Sequence, residues 1–412
     1  MRVSRFHSML KILQITNYYY PHIGGIEQVT RDVVRALNHY LKDQATQFHQ
    51  KNPQPDCVQK VICFNETASD GSIACKREET VVQVFEGIEI YRCGCITKKF
   101  SQSISLTFPK ILKAVLTEFQ PDIVIFHYPN PFQAFFLVPY LKENNFKFIL
   151  YWHLDITKQK VLRRIFENQT NYLLKQADKI IATSPTYIDG SSYLNAYRYK
   201  CNIIPNCINE DRLRVTEDIT NIAKQIRKKN QGKVICFAVG RHIPYKGFSY
   251  LIEASKYLDN RFRIIIGGSG EMTNTLKAQA SGDSKISFTG RLTDKDLIAH
   301  YLAMDIFCFP SISKNEAFGI ALAEAMYFSK PAVTFRIPGS GVNYVNLDGK
   351  TGIEVENGNI KAYADALNLL ANNHEQRLVL GNQARQRVIQ FFTSSQFDKN
   401  IQEIIAEQVH RK

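Results

Sequence analysis

The sequence predicts an α/β protein made of two doubly wound halves. Three observations carry that prediction. Short strand-like apolar runs alternate with amphipathic helical patterns along the whole chain, which favours parallel sheets. The alternation breaks once, near Ile203-Ile204-Pro205-Asn206-Cys207, and then repeats. The 412 residues are also more than a single core of ordinary size holds, so two or three domains are expected.

The first half carries strand-like runs at Ile12–Thr16, Val58–Phe64, Ile88–Cys93, Ile123–His127, Phe146–Trp152 and Lys179–Thr183. Helical patterns lie at Gln28–Asn38, Phe108–Phe119 and Val161–Gln176. Residues 65–80 are polar and irregular, the composition of a mobile loop. Past the boundary, residues 210–231 are charged, as expected of a connection with a short helix. Strands are then expected at Val234–Val239, Arg263–Gly267, Ile286–Thr289, Ile306–Phe309 and Pro331–Phe335. Helices are expected at Ser249–Leu258, Ile360–Asn373, Glu375–Phe391 and Ser395–Gln408. The expected domains are 1–206, 207–390 and a terminal helical segment, 391–412.

Composition narrows the function classes. Hydrophobic content of 44% and charged content of 22% are ordinary for a globular protein. Nine irregularly spaced cysteines in so long a chain argue for reduced thiols and a cytoplasmic setting. The Cys-x-x-Cys pairs of a zinc site are absent around Cys93 and Cys95. The longest apolar run, Phe135–Leu141, is too short to span a bilayer and contains Pro139. The start of the chain leads into a strand rather than a signal-peptide cleavage site.

The net charge of +14 divides evenly between the halves, and no nucleic-acid module is recognisable, so nucleic acid is not an expected partner. Residues Lys158–Lys175 form a basic amphipathic pattern with Lys158, Lys160, Arg163, Arg164 and Lys175. Such a helix lies on anionic membrane, or packs on a core with a solvated basic face; both readings stand.

Three segments carry chemistry. In Asn315-Glu316-Ala317-Phe318-Gly319-Ile320-Ala321-Leu322-Ala323-Glu324, Glu316 falls in a loop after a strand. Glu324 falls inside a helix beginning near Phe318. Carboxylates flanking a helix N-terminus suit a sugar nucleotide, with hydroxyls on the acids and diphosphate on the amides. The bland alternative is a surface acid before an amphipathic helix. In Gly240-Arg241-His242-Ile243-Pro244-Tyr245-Lys246-Gly247, Arg241 and Lys246 follow a strand at the sheet edge where α/β folds bind ligands. Arg offers a planar fork to phosphate and Lys a point charge. The adjacent Gly24-Gly25, before a helix, allows close approach to the backbone.

These segments, together with Trp152-His153-Leu154-Asp155, Ile204-Pro205-Asn206, Gly267-Gly268-Ser269-Gly270 and Gly290-Arg291-Leu292, resemble in order the GT-B-fold glycosyltransferases of retaining family 4. The resemblance covers nearly the whole chain. It implies two Rossmann-like domains facing a central cleft, with the terminal helix crossing back onto the first. It also implies hexose transfer from GDP-mannose or a UDP-hexose to a glycan or lipid-linked acceptor, with retention, in surface polysaccharide or lipopolysaccharide synthesis.

By matching motifs, Arg241 and Lys246 would grip the diphosphate, aided by the amides of Phe318, Gly319 and Ile320. Glu316 would hold the donor sugar and Glu324 the ribose. Leu292, Gly268 and Gly270 would flank base and phosphates, and Gly24 and Gly25 would close on the diphosphate. His153 would hydrogen-bond beside the donor sugar. His127, Asp155 and Glu27 are expected on the acceptor side.

No metal and no cofactor are expected, because the cationic loop supplies the charge and no Asp-x-Asp lies near a proposed phosphate site. Two departures stand out. Leu154 replaces a small polar residue common in relatives, and Cys207 replaces a common glycine. The rival readings are a sugar-nucleotide epimerase of the same fold and a non-catalytic basic protein bound to membrane or polyanion. The expected location is the cytoplasm, with possible peripheral contact at the membrane's cytoplasmic face.

Overall fold

A computed structural model describes residues 9–47, 57–68, 71–99, 102–143, 146–156 and 160–409. The chain forms two compact units. Unit 1 comprises Met1–Ala182, Ser191–Ile204 and Phe397–Lys412; unit 2 comprises Thr183–Gly190 and Pro205–Gln396.

Unit 1 begins with β1 (Leu10–Ile15), α1 (Gly25–Gln47), β2 (Cys57–Phe64), β3 (Thr80–Phe85) and β4 (Ile88–Cys93). A small hairpin follows, β5 (Thr97–Lys99) and β6 (Gln102–Ile104), then α2 (Phe108–Phe119), β7 (Ile123–Tyr128), α3 (Pro131–Glu143), β8 (Lys147–Trp152), α4 (Lys160–Gln176) and β9 (Lys179–Ala182). The chain enters unit 2 for α5 (Pro185–Gly190) and returns for β10 (Cys201–Ile203). The sheet order is β10-β9-β8-β7-β1-β2-β4-β3. All pairs are parallel except β3 with β4. Helices cover both faces of such a sheet, so its central strands read as continuous apolar runs. Every residue of β7 is buried.

Strand β3 was not foreseen. It pairs antiparallel with β4 through Glu86-Gly87, both at positive φ (53° and 82°), the pattern of a tight type I′ hairpin. The segment expected to be a mobile loop is tied down where it is described. Asn65 Nδ2 donates to Cys75 O at 2.8 Å, and Glu66 bridges Ile73.

Unit 2 continues with α6 (Glu217–Lys229), β11 (Val234–Val239), α7 (Phe248–Ser255), β12 (Phe262–Gly267), α8 (Thr273–Gln279), β13 (Ile286–Gly290) and α9 (Asp294–Ala303). It is completed by β14 (Ile306–Phe309), α10 (Ile320–Tyr327), β15 (Ala332–Arg336), α11 (Val342–Val345), β16 (Gly352–Glu356), α12 (Ile360–Asn372) and α13 (His374–Phe391). Its parallel sheet runs β13-β12-β11-β14-β15-β16. One core built on Phe237, Ile264, Ile266, Phe307, Leu322, Met326 and Tyr363 holds it together. Each such side chain contributes roughly 1.5–3 kcal/mol through burial.

The last helix, α14 (Ser394–Val409), belongs to unit 1 from Phe397 onward. Phe397, Ile401, Ile404 and Ile405 are buried. Arg35 Nη2 pairs with Asp398 Oδ1 at 3.0 Å, and Gln402 Nε2 donates to Ala36 O at 2.9 Å. Within each unit, the parallel strands bring their carboxyl-end loops to one edge of that unit's own sheet.

Candidate functional site

In unit 2 the strand order reverses at β11, whose neighbours are β12 and β14. Loops leaving the carboxyl ends of adjacent strands diverge at such a point and leave a crevice that binds ligands. The loop after β11 carries Arg241 and Lys246, and the loop after β14 carries Glu316. Lys246 Nζ lies 2.5 Å from Glu316 Oε2, and Ser311 Oγ donates to the same oxygen at 3.0 Å. Ser340 Oγ fixes the loop itself by donating to Glu316 O at 2.5 Å. Glu316 is buried, whereas Arg241 is exposed and has no ion-pair partner among the described residues. One paired cation and one open cation thus sit on the same loop.

Glycines let these loops interlock. Gly247 has φ +67°, and a Cβ there would lie 1.9 Å from Pro310 O. Gly268 has φ +106°, and its Cβ would lie 1.9 Å from Gly240 O. At Gly270 a Cβ would meet His242 O at 2.6 Å. The backbone bonds from His242 N to Ser269 O (3.0 Å) and from Met272 N to His242 O (2.9 Å) join the two loops. Leu292 packs its Cδ1 where a Gly267 Cβ would stand, 3.0 Å away. Arg241, Lys246, Gly268, Gly270, Leu292 and Glu316 therefore share one edge of the unit 2 sheet.

Helix α10 begins at Ile320 rather than near Phe318, because Gly319 (φ 96°) turns the chain immediately before it. The first helical bond runs from Ala323 N to Gly319 O (3.1 Å), so the amides of Phe318, Gly319 and Ile320 precede the ladder. Phe318 is buried and packs edge-on against Phe392 at 5.3 Å. Thr183 Oγ1 donates to Ala317 O at 3.1 Å, and Thr186 Oγ1 to Ser340 O at 2.9 Å, so α5 braces the Glu316 loop.

Glu324 is buried on α10 with both oxygens engaged. Arg212 donates to Oε1, and the Tyr301 hydroxyl donates to Oε2 at 2.9 Å. Burial pushes the Tyr301 phenol up, which keeps it a donor. A carboxylate offers about four lone-pair sites, so capacity remains for a diol. Arg212 also reaches Asp294 Oδ1 at 2.9 Å. One Asp-x-Asp triplet, Asp294-Lys295-Asp296, therefore does lie near this edge. Its acids are taken up by Arg212 and by Thr293, whose hydroxyl donates to Asp296 Oδ2 at 2.7 Å.

In unit 1 the order reverses at β1, between β7 and β2. Gly24 and Gly25 lie in the loop after β1 and at the start of α1. A Cβ on Gly24 would lie 2.2 Å from Glu27 Oε2, whereas Gly25 has nothing within 4 Å of the equivalent point. Glu27 is buried and lies 3.7 Å from His22 Nδ1. Arg92, fully buried on β4, donates to Tyr19 O at 3.4 Å and also to Tyr20 O, holding this loop from beneath.

His153 follows β8 and His127 lies on β7. Their rings stack with Tyr151, and His127 Nδ1 is 2.9 Å from His153 Nε2. His127 Nε2 is 3.0 Å from Gln14 Oε1. Burial lowers His153 to about 3 and His127 well below its ordinary 6.5, so both imidazoles are neutral. This revises the acceptor-side expectation for His127. A side chain with no exposed surface and two engaged nitrogens has no atom left for an acceptor sugar.

Asp155 is likewise committed within unit 1. Its Oδ1 accepts from Trp152 Nε1 (3.0 Å) and from Ser191 Oγ (2.8 Å). In α4, Leu173 and Leu174 are buried. Lys158 and the side chains of Lys160, Arg163 and Arg164, the basic face expected to meet membrane, lie outside the described residues. Cys207 is buried beside Ile208, whose amide donates to Phe392 O at 2.9 Å. Among the described residues no helix is long and apolar enough to cross a membrane.

Sequence reasoning missed Arg212, Tyr301, Ser311, Ser340, Arg92 and Gln14. Arg212, Tyr301, Ser340, Arg92 and Gln14 act through partners 23 or more positions away, whereas Ser311 lies five residues from Glu316. Two carried a local signal: Gln14 is a polar residue among the apolar Ile12, Leu13 and Ile15 of β1, and Ser340 stands between Gly339 and Gly341.

Comparison with known proteins bears on both units. A family model for Glycosyltransferase Family 4 matches residues 23–212, and one for Glycosyl transferases group 1 matches residues 218–387. The chain is 28% identical to D-rhamnosyltransferase WbpZ of Pseudomonas aeruginosa, over 96% of this chain and 93% of that protein. It is 27% identical to O-antigen chain mannosyltransferase C of Escherichia coli, over 93% and 95% respectively.

Two solved structures share the fold. Sucrose-phosphate synthase from Thermosynechococcus elongatus superposes with TM-score 0.75, at 17% identity, over 98% of this chain and 100% of that one. Anabaena HepE in complex with UDP and glucose superposes with TM-score 0.72, at 16% identity, over 96% and 99%. The fold is GT-B, and the chain belongs to the family 4 glycosyltransferases of the glycosyl transferases group 1 type, enzymes that transfer hexoses.

Proposed function

We propose that this enzyme transfers a mannose-type hexose from a nucleoside-diphosphate donor, GDP-mannose first among the two donor classes expected, to a growing surface glycan. The observation that carries the reading is the meeting of the two loops at the β11/β14 switch point, where Lys246 touches Glu316 beside the open Arg241. The named activities of the two long-range relatives, D-rhamnosyl and O-antigen mannosyl transfer, support the sugar and the polymer.

In this reading Arg241 and Lys246 bind the diphosphate. The bond from the sugar C1 to the diphosphate oxygen breaks, and the two cations stabilise the charge gathering on that oxygen. An acceptor hydroxyl forms the new bond to C1 and gives its proton to the departing diphosphate oxygen. Glu316 accepts hydrogen bonds from the sugar, and Glu324, oriented by Arg212 and Tyr301, accepts them from the ribose. Gly24 and Gly25 line the donor phosphates, Leu292 the base, and the Phe318–Ile320 amides add positive dipole. Configuration is retained, and the two side-chain cations supply the charge that a metal would otherwise bring.

Glu27 and Asp155 stand on the acceptor side. The acceptor is a glycan, free or lipid-linked, and the basic sequence pattern of Lys158–Lys175 supports a contact with anionic lipid. No disulfide is present among the described residues, which suits a reducing compartment.

The test is thermal-shift titration against GDP-mannose, GDP, UDP-glucose and UDP, followed by product analysis with the stabilising donor. A shift with guanosine ligands alone, and an axial product from an axial donor, is the expected result. Stabilisation by UDP-glucose and not by GDP-mannose would overturn the donor assignment.

A further inference from the structure

A chain of buried polar groups runs from β2 through β1 and β7 to His153, and its direction is fixed at one end. Gln59 Nε2 donates to Val34 O at 3.1 Å and to Asn38 Oδ1 at 2.8 Å. A backbone carbonyl only accepts, so the Gln59 amide has one orientation and its Oε1 must accept. The donor it meets is Gln14 Nε2, at 3.3 Å. That turns Gln14 Oε1 toward His127 Nε2, 3.0 Å away, so His127 carries its proton on Nε2.

A neutral imidazole has one N–H and one lone pair. His127 Nδ1 is therefore bare, and the 2.9 Å contact with His153 requires the proton to sit on His153 Nε2. Thr30 does not disturb this order. Its hydroxyl donates to Ile26 O at 2.9 Å and lies farther from His127 Nδ1, at 3.4 Å. Gln14, Gln59, His127 and His153 are all buried, at 5% exposure or less, so water does not scramble the sequence of donors.

We propose that Gln14 and His127 are positioning residues that lock His153 in its Nε2–H tautomer, so that His153 Nδ1 offers a lone pair to a hydroxyl of the donor sugar. The second half of this statement rests on the family resemblance, by which His153 would hydrogen-bond beside the donor sugar. The first half does not. An imidazole held this way is an acceptor at the substrate and cannot donate to a phosphate oxygen. His153 thus reads a sugar hydroxyl, and the diphosphate is left to Arg241 and Lys246. Neutrality fits this assignment, since burial disfavours the imidazolium that would donate from both nitrogens.

The test uses the full chain labelled with ¹⁵N-histidine. Long-range ¹H–¹⁵N spectra distinguish protonated from bare ring nitrogens, and His153→Ala assigns its resonances. His153 is expected with bare Nδ1 and protonated Nε2 in the free enzyme; the opposite tautomer overturns the proposal. Gln14→Leu removes the acceptor that orients His127.

Gln14→Leu should populate Nδ1–H on His153 and lower kcat about tenfold, with donor KM within about twofold, the scale of one lost hydrogen bond. An unchanged tautomer and rate in Gln14→Leu would overturn the positioning role. If Gln14→Leu fails to fold, the wild-type spectrum alone still decides the tautomer. Full activity of His153→Ala, with the tautomer as expected, would overturn only the contact with the sugar hydroxyl.

Discussion

Lys246 and Glu316 form an ion pair, Nζ to Oε2 at 2.5 Å. The cation proposed for the diphosphate and the acid proposed for the sugar are thus direct neighbours, and each holds the other's side chain in place. Ser311 holds Glu316 Oε2 from the other side, so the acid keeps its place when Lys246 turns to phosphate.

The two glutamates should separate in kinetics. Glu316→Gln weakens a contact that strengthens as the sugar distorts, and kcat should fall roughly tenfold to a thousandfold. Freed from its partner, Lys246 should bind the nucleoside diphosphate as tightly as in the wild type or more so. Glu324→Gln should instead raise donor KM and weaken the free nucleotide. Nucleotide titration beside steady-state kinetics checks both, and loss of nucleotide in Glu316→Gln alone would reverse the assignments.

Arg241→Ala and Lys246→Ala should each lower kcat/KM by about a hundredfold or more, the usual scale for losing a charged group at a developing anion. Transfer should persist in excess EDTA. Abolition by EDTA with rescue by magnesium or manganese counts against this assignment.

Stability should fall on the acid side of neutrality. An ordinary histidine titrates at 6.5, and burial holds folded His153 at about 3 and His127 well below 6.5. Below about pH 6.5 the unfolded chain takes up protons that the folded chain refuses. Each group then removes about 1.4 kcal/mol per pH unit until its folded value is reached. Urea midpoints measured from pH 7 to pH 5 should drop, and His153→Gln should reduce the slope.

Glycine substitutions should divide by backbone demand. Gly268→Ala and Gly247→Ala place a Cβ 1.9 Å from a carbonyl oxygen at positive φ, and each should cost about 1–3 kcal/mol and loosen the phosphate loop. Gly25→Ala meets open space and should fold normally. Its effect should be confined to a raised donor KM. An unfolded Gly25→Ala would show that its role is structural.

Much of this was legible before any coordinates. Parallel strands buried on both faces announce themselves as apolar runs, and the cationic and acidic loops were marked by Gly240, Gly247 and Gly319. What escaped notice was long-range. Arg212 reaches Glu324 over more than a hundred positions, and no local pattern encodes that pairing. Strand β3 was hidden because the polar stretch before it dominated the reading, although Glu86-Gly87 between two β-branched runs was a usable turn signal. His127 was noticed as a strand-end histidine, but whether its ring meets a ligand or another ring depends on β8 lying beside β7.

Helix α14 gives this enzyme a particular order of assembly. Synthesis runs from the N-terminus, yet unit 1 closes only with Phe397, Ile401 and the Asp398 partner of Arg35. While the ribosome is still translating unit 2, α1 waits with Arg35 and the Ala36 carbonyl lacking their Asp398 and Gln402 partners. A stop codon anywhere before residue 397 would therefore damage the first unit made, not only the last.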